Sequence, residues 1–269
     1  MLEITKSIIK EIKKLHSRKG REEMQLFISE VERLVRESVG VDNLDRTHGD
    51  HSIIKYIVVS NNYKGKIPEL DCPVYKAYEK IFNQISTTQN SQGIMAICRM
   101  PSPSLQDERS ESRQSGDFKV ENSLFILCDN IQDPGNVGTI IRTCEAAGVS
   151  AVILGKGCVD LYNPKVVRST MGAIFRLPIQ TDINLVDFIK KSKRRTIAMA
   201  LSDSENFHNL DLSGEISIII GNEANGISAE VLEAAEIHAK IPMAAGESLN
   251  AAVATGVVVF EWRRQLYAI

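Results

Sequence analysis

The sequence predicts an α/β protein built as two domains, and three observations carry that prediction. Apolar runs of strand length alternate with segments of helical periodicity through most of the 269 residues. Runs such as Leu124-Phe-Ile-Leu-Cys128 are almost continuously apolar, as strands buried on both faces of a parallel sheet are. From Pro101 to about Gly116 the composition turns to Pro, Ser, Gln, Asp, Glu and Arg with almost no apolar residues, the best domain boundary in the chain. Domains are therefore expected at 1–103 and 122–269, with a linker at 104–121. A hydrophobic content of 43% is enough for two separate cores.

Taken in order, Ile4, Ile8, Ile9, Ile12 and Leu15 recur at helical spacing, so a first helix is expected, ended by Ser17-Arg-Lys-Gly20. Leu26-Phe-Ile-Ser29 reads as a short strand and residues 30–38 as a helix. Residues 42–52 form a polar loop whose His48, Asp50 and His51 match no metal-ligand spacing. Strands follow at 56–60, 73–75 and 93–99, with a helix ending at Ile85 before the last of them. In the second domain strands are expected at 124–128, 151–154, 196–201, 216–220 and near 237–241. Helices are expected at 136–147, 163–170, 185–193, 229–235 and 251–265, giving an open sheet covered on both faces. Ligands of such sheets bind beyond the C-terminal ends of the strands.

Charge and cysteine usage narrow the function classes. The net charge of −2 excludes a polyanion-binding tail, but between Met1 and Arg21 seven basic residues stand against Glu3 and Glu11. Such a stripe can face nucleic acid or simply solvent. The five cysteines are scattered, with no C-x-x-C pair, as reduced and mostly buried thiols of a cytoplasmic protein would be. The N-terminus is charged and amphipathic without an apolar signal core, and no run is long enough to span a membrane.

Three loops carry the chemistry. Asp129-Asn-Ile-Gln-Asp-Pro-Gly-Asn-Val-Gly-Thr-Ile-Ile-Arg142 leads from a strand into a helix, with Asn136 a natural N-cap and Arg142 nearly two turns further on. Its glycine spacing is not G-x-G-x-x-G and no acid closes the next strand, which disfavours a nicotinamide-dependent oxidoreductase. Gly221-Asn-Glu-Ala-Asn-Gly226 is a polar turn after another strand, with Ser228 positioned to cap the next helix. Ile241-Pro-Met-Ala-Ala-Gly-Glu-Ser-Leu-Asn250 runs into the last helix, with Ser248 or Asn250 as its cap. Three strand-to-helix loops that each bring polar residues to one end of a sheet have the pattern of a site.

These loops resemble the three motifs of the SpoU (TrmH) branch of the SPOUT methyltransferases. The first matches through Asn136, Gly138 and Arg142; the second through Gly221, Glu223 and Gly226; the third through Ile241, Pro242, Met243, Ser248, Leu249 and Asn250. Val167-Arg-Ser-Thr-Met-Gly172 resembles the segment between the first two. The first domain is similar to the L30e-like substrate-binding domain of ribosomal-RNA members through Ser17-Arg-Lys-Gly-Arg21, Phe27-Ile-Ser-Glu30 and Gln92-Gly-Ile94. Two departures stand out: Val31 where many relatives have Gly, and a third motif about one residue short between Met243 and Ser248.

The resemblance implies an S-adenosylmethionine-dependent transfer of a methyl group to a ribose 2′-hydroxyl of RNA. The implied substrate is 23S ribosomal RNA, for housekeeping or antibiotic resistance, with transfer RNA or a non-catalytic RNA-binding role as the alternatives. It also implies a C-terminal trefoil knot, a homodimer with sites at or near the interface, and no metal. Leu201, Gly221, Ile241, Met243 and Leu249 would hold the cofactor. Arg142 would position a phosphate and stabilise the developing alkoxide, because a free guanidinium is not a practical base. Asn136 and Ser248 would orient the ribose and Arg142, Asn250 would fix the third loop, and Glu223 would organise the Arg or meet the nucleotide. Lys13, Arg18, Lys19, Arg21 and Arg168 are the expected RNA contacts.

Overall fold

The computed structural model describes residues 1–37, 53–68, 72–101, 122–201, 204–246 and 248–266. The loop carrying His48, Asp50 and His51 and the expected linker at 104–121 lie outside the described residues. The first elements are β1 (Leu2–Glu3), α1 (Lys6–Lys14), α2 (Arg18–Met24), β2 (Leu26–Glu30), β3 (Ile54–Ser60), β4 (Val74–Ala77), α3 (Glu79–Ile85) and β5 (Ile94–Arg99). They are followed by β6 (Ser123–Cys128), α4 (Pro134–Ala147), β7 (Ala151–Gly155), α5 (Pro164–Ser169), β8 (Ile179–Ile183), α6 (Leu185–Lys191) and β9 (Arg195–Met199). The chain continues through β10 (Glu205–Asn206), β11 (Glu215–Ile220), α7 (Ala229–Ala234), β12 (Ile237–Lys240) and α8 (Ala251–Leu266). Packing divides the chain into two compact units, Met1–Ser102 with Asp160–Arg176, and Pro103–Val159 with Leu177–Ile269.

The first unit is a mixed sheet of order β1-β4-β3-β5-β2. Its strands alternate as period-two strands must. Leu26, Ile28, Tyr56, Val58, Met95 and Ile97 pack on one face with Ile12 and Leu15 before β2 and Phe82 and Ile85 of α3. Phe27, Ile57, Val59, Ile94, Ala96 and Cys98 pack on the other with Leu34, Val35, Val167 and Phe175. The segment 160–176, expected in the second half, thus covers a face of the first sheet, and the Tyr162 and Phe175 rings lie 4.7 and 6.1 Å from that of Phe27. Its periodicity announced a helix but not which sheet that helix would cover.

Helix α2 was not expected, because Gly20 read as a terminator. Ser17 instead caps a new helix, its Oγ accepting the Gly20 N–H at 3.1 Å. Glycine is needed there for close approach: a Cβ would stand 2.0 Å from the Lys14 carbonyl oxygen.

The second unit is a seven-stranded sheet, order β10-β12-β9-β11-β6-β7-β8, with every pairing parallel. Leu127, Ile153, Ala198 and Ile219 share one face with Leu185, Ile189 and Val231 of α6 and α7. Helix α8 packs along α4 and reaches β11. Strand β8 lies outside the expected strands: it is an edge strand whose Thr181 and Asp182 are exposed, which weakens its apolar pattern. Parallel pairing brings the C-terminal ends of all these strands to one edge, where the three loops begin.

Candidate functional site

At that edge, the loops after β9, β11 and β12 and the start of α8 enclose a cavity of about 540 Å³. Leu201, Gly221, Ile241, Met243 and Leu249, which the resemblance assigned to the cofactor, all line it, together with Glu223 and Ser248. Apolar walls with a few polar groups in this size range suit a small organic ligand. Gly221 is held tightly: a Cβ would sit 2.3 Å from the Gly226 carbonyl carbon and 2.4 Å from the Ile227 nitrogen.

Helix α4 begins earlier than expected and with a different cap. Asp133, not Asn136, is the N-cap: its carboxylate accepts the Asn136 N–H at 2.9 Å, and Pro134 opens the helix. The Asn136 side chain is therefore free for the site. Its Nδ2 donates to Glu223 Oε1, and its Oδ1 accepts from Asn250 Nδ2 at 3.0 Å. Asn250 in turn caps α8, its Oδ1 accepting the Ala252 and Val253 N–H groups at 3.0 and 3.3 Å. One residue from each of the three loops thus joins a single hydrogen-bonded chain. Although the third loop is short, Ser248 and Leu249 still reach the cavity; Glu247 lies outside the described residues.

Two residues that the sequence did not single out hold the second loop. The Asp129 carboxylate, buried at the end of β6, accepts the Ser228 N–H at 2.7 Å. Asn222 Nδ2 donates to the Asn130 carbonyl at 2.9 Å, while Asn222 Oδ1 accepts the Ala224 N–H at 2.9 Å. Ser228 stands at the N-cap of α7, but its side chain makes no capping bond. An acid closing an otherwise apolar strand was the available signal for Asp129.

Arg142 does not line the cavity. It is exposed on α4, six residues and so about 120° around the helix from Asn136. Its guanidinium has no partner among the described residues.

Of the expected RNA contacts, Lys13, Arg18 and Lys19 are exposed and Arg168 is half-buried, its Nη1 donating to Thr87 Oγ1 at 3.0 Å. Arg21 requires a correction. It is 3% exposed, donates through Nη1 to the Leu15 carbonyl at 2.8 Å and through Nε to Asp160 at 3.0 Å, and pairs with the same carboxylate through Nη2. It holds unit 1 together and offers no guanidinium edge to a ligand.

The other first-domain stretches meet around Glu30. Its buried carboxylate accepts from Ser86, Thr87, Thr88 and Ser91, and Gln92 Oε1 accepts the Glu32 N–H at 2.9 Å. Between them Val31 adopts φ of +97°. The chain keeps the left-handed backbone that glycine favours even though the residue is branched.

The half-buried Cys158 is not a nucleophile. Cys158 donates its thiol to the Cys128 carbonyl at 3.2 Å, and burial pushes its pKa up to about 11. Among the described residues no group of three or more His, Cys, Asp or Glu could hold a metal, and no helix is long and apolar enough to cross a membrane.

Residues 123–260 match the model of the SpoU rRNA Methylase family, and residues 6–96 match the MRM3-like substrate binding domain. Over 261 residues the chain is 33% identical to the 23S rRNA (guanosine(2553)-2'-O)-methyltransferase RlmP of Bacillus subtilis (strain 168), covering 95% of each. A match to the 23S rRNA (guanosine-2'-O-)-methyltransferase RlmB of Xylella fastidiosa is 35% identical over 147 residues, 53% of this chain and 59% of the relative. Among solved structures, the AdoMet-bound rRNA methyltransferase from Sinorhizobium meliloti is similar with a TM-score of 0.80 and 30% identity, over 99% of this chain and 97% of that one.

Proposed function

The chain belongs to the SpoU rRNA methylase family, and from that membership we propose that it methylates a ribose 2′-hydroxyl of large-subunit ribosomal RNA. The observation that carries the reading is the cavity at the strand ends, walled by the second and third loops and tied to the first through Asn136, Glu223 and Asn250. The residues present fit S-adenosylmethionine: Leu201, Ile241, Met243 and Leu249 suit its apolar parts, and Glu223 and Ser248 its polar ones. When bound, that cofactor supplies an electrophilic methyl group.

The remaining work belongs to the chain. A 2′-hydroxyl must lose its proton as it attacks, to solvent by way of the adjacent phosphate, so the site must steady a developing alkoxide. Arg142, exposed and without a partner among the described residues, does this while gripping the adjacent phosphate. Ser248 orients the ribose, and the chain through Asn136 and Asn250 keeps Glu223 and the third loop in fixed positions, so that much of the rate comes from positioning. The trefoil knot belongs to this reading through family membership alone.

The active form is a homodimer. Val253 and Phe260, 53% and 50% exposed, lie seven residues apart on one face of α8, and Leu249, 37% exposed, precedes it. A second copy covers this stripe, and Arg142, which stands off its own cavity, serves the cavity of the partner. Such an enzyme works on ribosomal RNA in the cytoplasm, and the guanosine for which the Bacillus subtilis relative is named is the first nucleotide to map.

Methyl transfer from tritiated S-adenosylmethionine to unmodified large-subunit ribosomal RNA tests the function. Arg142→Ala is expected to retain cofactor and RNA binding and to lose turnover at least a hundredfold. Near-normal turnover would sink the mechanism. Subunit exchange tests the shared site: at a cofactor concentration too low to load Gly221→Ala, mixing that protein with Arg142→Ala restores roughly a quarter of wild-type activity if Arg142 acts across the dimer. If it acts within one chain, the mixture stays inactive.

A further inference from the structure

The segment 160–176 lies between β7 and β8 in the chain yet packs as part of unit 1. The chain therefore passes from unit 2 into unit 1 between Val159 and Asp160, and back between Arg176 and Leu177. Both ends of the segment are clasped within unit 1 by an ion pair, Asp160 to the buried Arg21 and Arg176 to Glu37. The entry end is held residue by residue. Asp160 Oδ2 accepts from Arg21 Nε at 3.0 Å, while its Oδ1 accepts the Tyr162 N–H at 3.0 Å. Its carbonyl accepts the Asn163 N–H at 3.0 Å, and Asn163 caps α5 through the Lys165 N–H at 2.9 Å. Leu161 is buried, and the Tyr162 ring packs on Phe27.

The residues just before the crossing are bonded within unit 2, to β6 and the first of the three loops. The Val159 N–H donates to the Ile131 carbonyl at 2.9 Å and the Cys158 thiol to the Cys128 carbonyl at 3.2 Å. A Cβ on Gly157 would stand 2.5 Å from Asn130 Oδ1, so the turn after β7 is pressed against the first loop. The Asn130 carbonyl holds Asn222 of the second loop, and Pro134 opens α4, which carries Asn136 and Arg142. One peptide bond thus joins an anchor in the unit that matches a substrate binding domain to an anchor on the loop that leads to the reacting residues. With every residue from Cys158 to Asn163 bonded or buried, a shift of Asp160 is passed along the chain rather than absorbed.

We propose that Arg21 and Asp160 are positioning residues for methyl transfer. RNA held by unit 1 sets the first loop, and with it Asn136 and Arg142, through the bonded run 157–160, so that transfer is fast only when unit 1 is engaged. The two residues act through that loop and touch neither the cofactor nor the reacting ribose. The proposal rests on the RNA-methylating function above and adds to it a link between substrate engagement and the site.

The test uses the full-length protein, unmodified large-subunit ribosomal RNA transcribed in vitro and tritiated S-adenosylmethionine, in single turnovers with protein and cofactor in saturating excess, which separates the rate of bound RNA from its binding. Two glycines inserted between Val159 and Asp160 leave the bonds on either side available and make the crossing slack. The single-turnover rate is expected to fall at least tenfold, because a misplacement of about 1 Å can cost a hundredfold. RNA affinity by filter binding, cofactor affinity by calorimetry and hydrogen exchange of the β2, β3 and β5 amides stay at their wild-type values. Asp160→Asn keeps the acceptor for Tyr162 and loses the charge that holds Arg21. It is expected to show a similar loss of rate with RNA affinity retained, and it decides alone if the insertion does not fold. A folded insertion variant with the wild-type rate overturns the link, even if Asp160→Asn is slow, and leaves the methylation reading standing. A wild-type rate in Asp160→Asn, or a loss of RNA affinity with the rate of bound RNA unchanged, assigns the pair to the fold of unit 1 alone and also overturns the link. Failure of the wild-type protein to methylate the RNA overturns the functional reading itself.

Discussion

Replacing Val31 should invert a rule that holds at most positions. Exchanging Ala for Gly usually destabilises a folded chain by about 0.5–1 kcal/mol, because glycine loses more backbone freedom. Val31 sits at φ of +97°, where a Cβ is strained and strain costs about 1–3 kcal/mol. Its side chain is half-buried and packs beside the cluster of Phe27, Leu34 and Val35. Val31→Ala removes most of that contact and keeps the Cβ, so it should destabilise unit 1 by about 1 kcal/mol. Val31→Gly loses slightly more contact but releases the strain, so it should be more stable than the Ala variant by about 1 kcal/mol or more. The strained backbone is tolerated because its neighbours are fixed, Glu30 by the segment 86–91 and Glu32 by Gln92. The sole tryptophan, Trp262, belongs to unit 2, so fluorescence would miss the effect. Hydrogen exchange of the β2, β3 and β5 amides reads unit 1 directly. A Gly variant no more stable than the Ala variant would refute the reasoning.

Other outcomes follow from the same geometry. Gly221→Ala puts a Cβ 2.3 Å from the Gly226 carbonyl carbon, so calorimetry should find S-adenosylmethionine affinity reduced at least tenfold; unchanged affinity would remove Gly221 from the cavity wall. Asp129→Ala leaves the Ser228 N–H unpaired at a cost of about 1–3 kcal/mol, which should appear as a cofactor KM raised roughly tenfold. Asp129→Asn keeps an acceptor and should recover most of that loss, and an Ala variant with wild-type cofactor KM would sink the positioning role. Arg21→Met leaves Asp160 without its buried partner and should destabilise unit 1 by about 3 kcal/mol with the salt dependence of RNA binding unchanged. A stable Arg21→Met protein with a flatter salt slope would return Arg21 to the RNA surface.

The residues lining the cavity were largely legible in the sequence, and the links between them were not. Gly221 and Glu223 stand out as a small and a polar residue in a loop after an apolar strand, while Ile241, Met243 and Leu249 are picked out by the resemblance of the third loop. That Asn136 joins Glu223 to Asn250 could not be read, because it depends on Asp133 taking the cap that Asn136 was expected to provide. The role of Asp129 is illegible for a similar reason: a carboxylate at a strand end has many uses until its partner, the Ser228 N–H, is brought from 99 residues away.

The alternation of strands and helices, the parallel character of the second sheet and the three loops at its edge can be read along the chain. These follow from local periodicity and from continuous apolar runs, which need no knowledge of distant residues. Which basic residues remain available depends on how distant parts of the chain pack. Arg21 and Lys13 belong to the same charged run, yet one closes a buried pair with Asp160, 139 residues on, and the other stands in solvent on α1. Burial and charge pairing arise where such segments meet, whereas a sequence pattern records only the spacing along the chain.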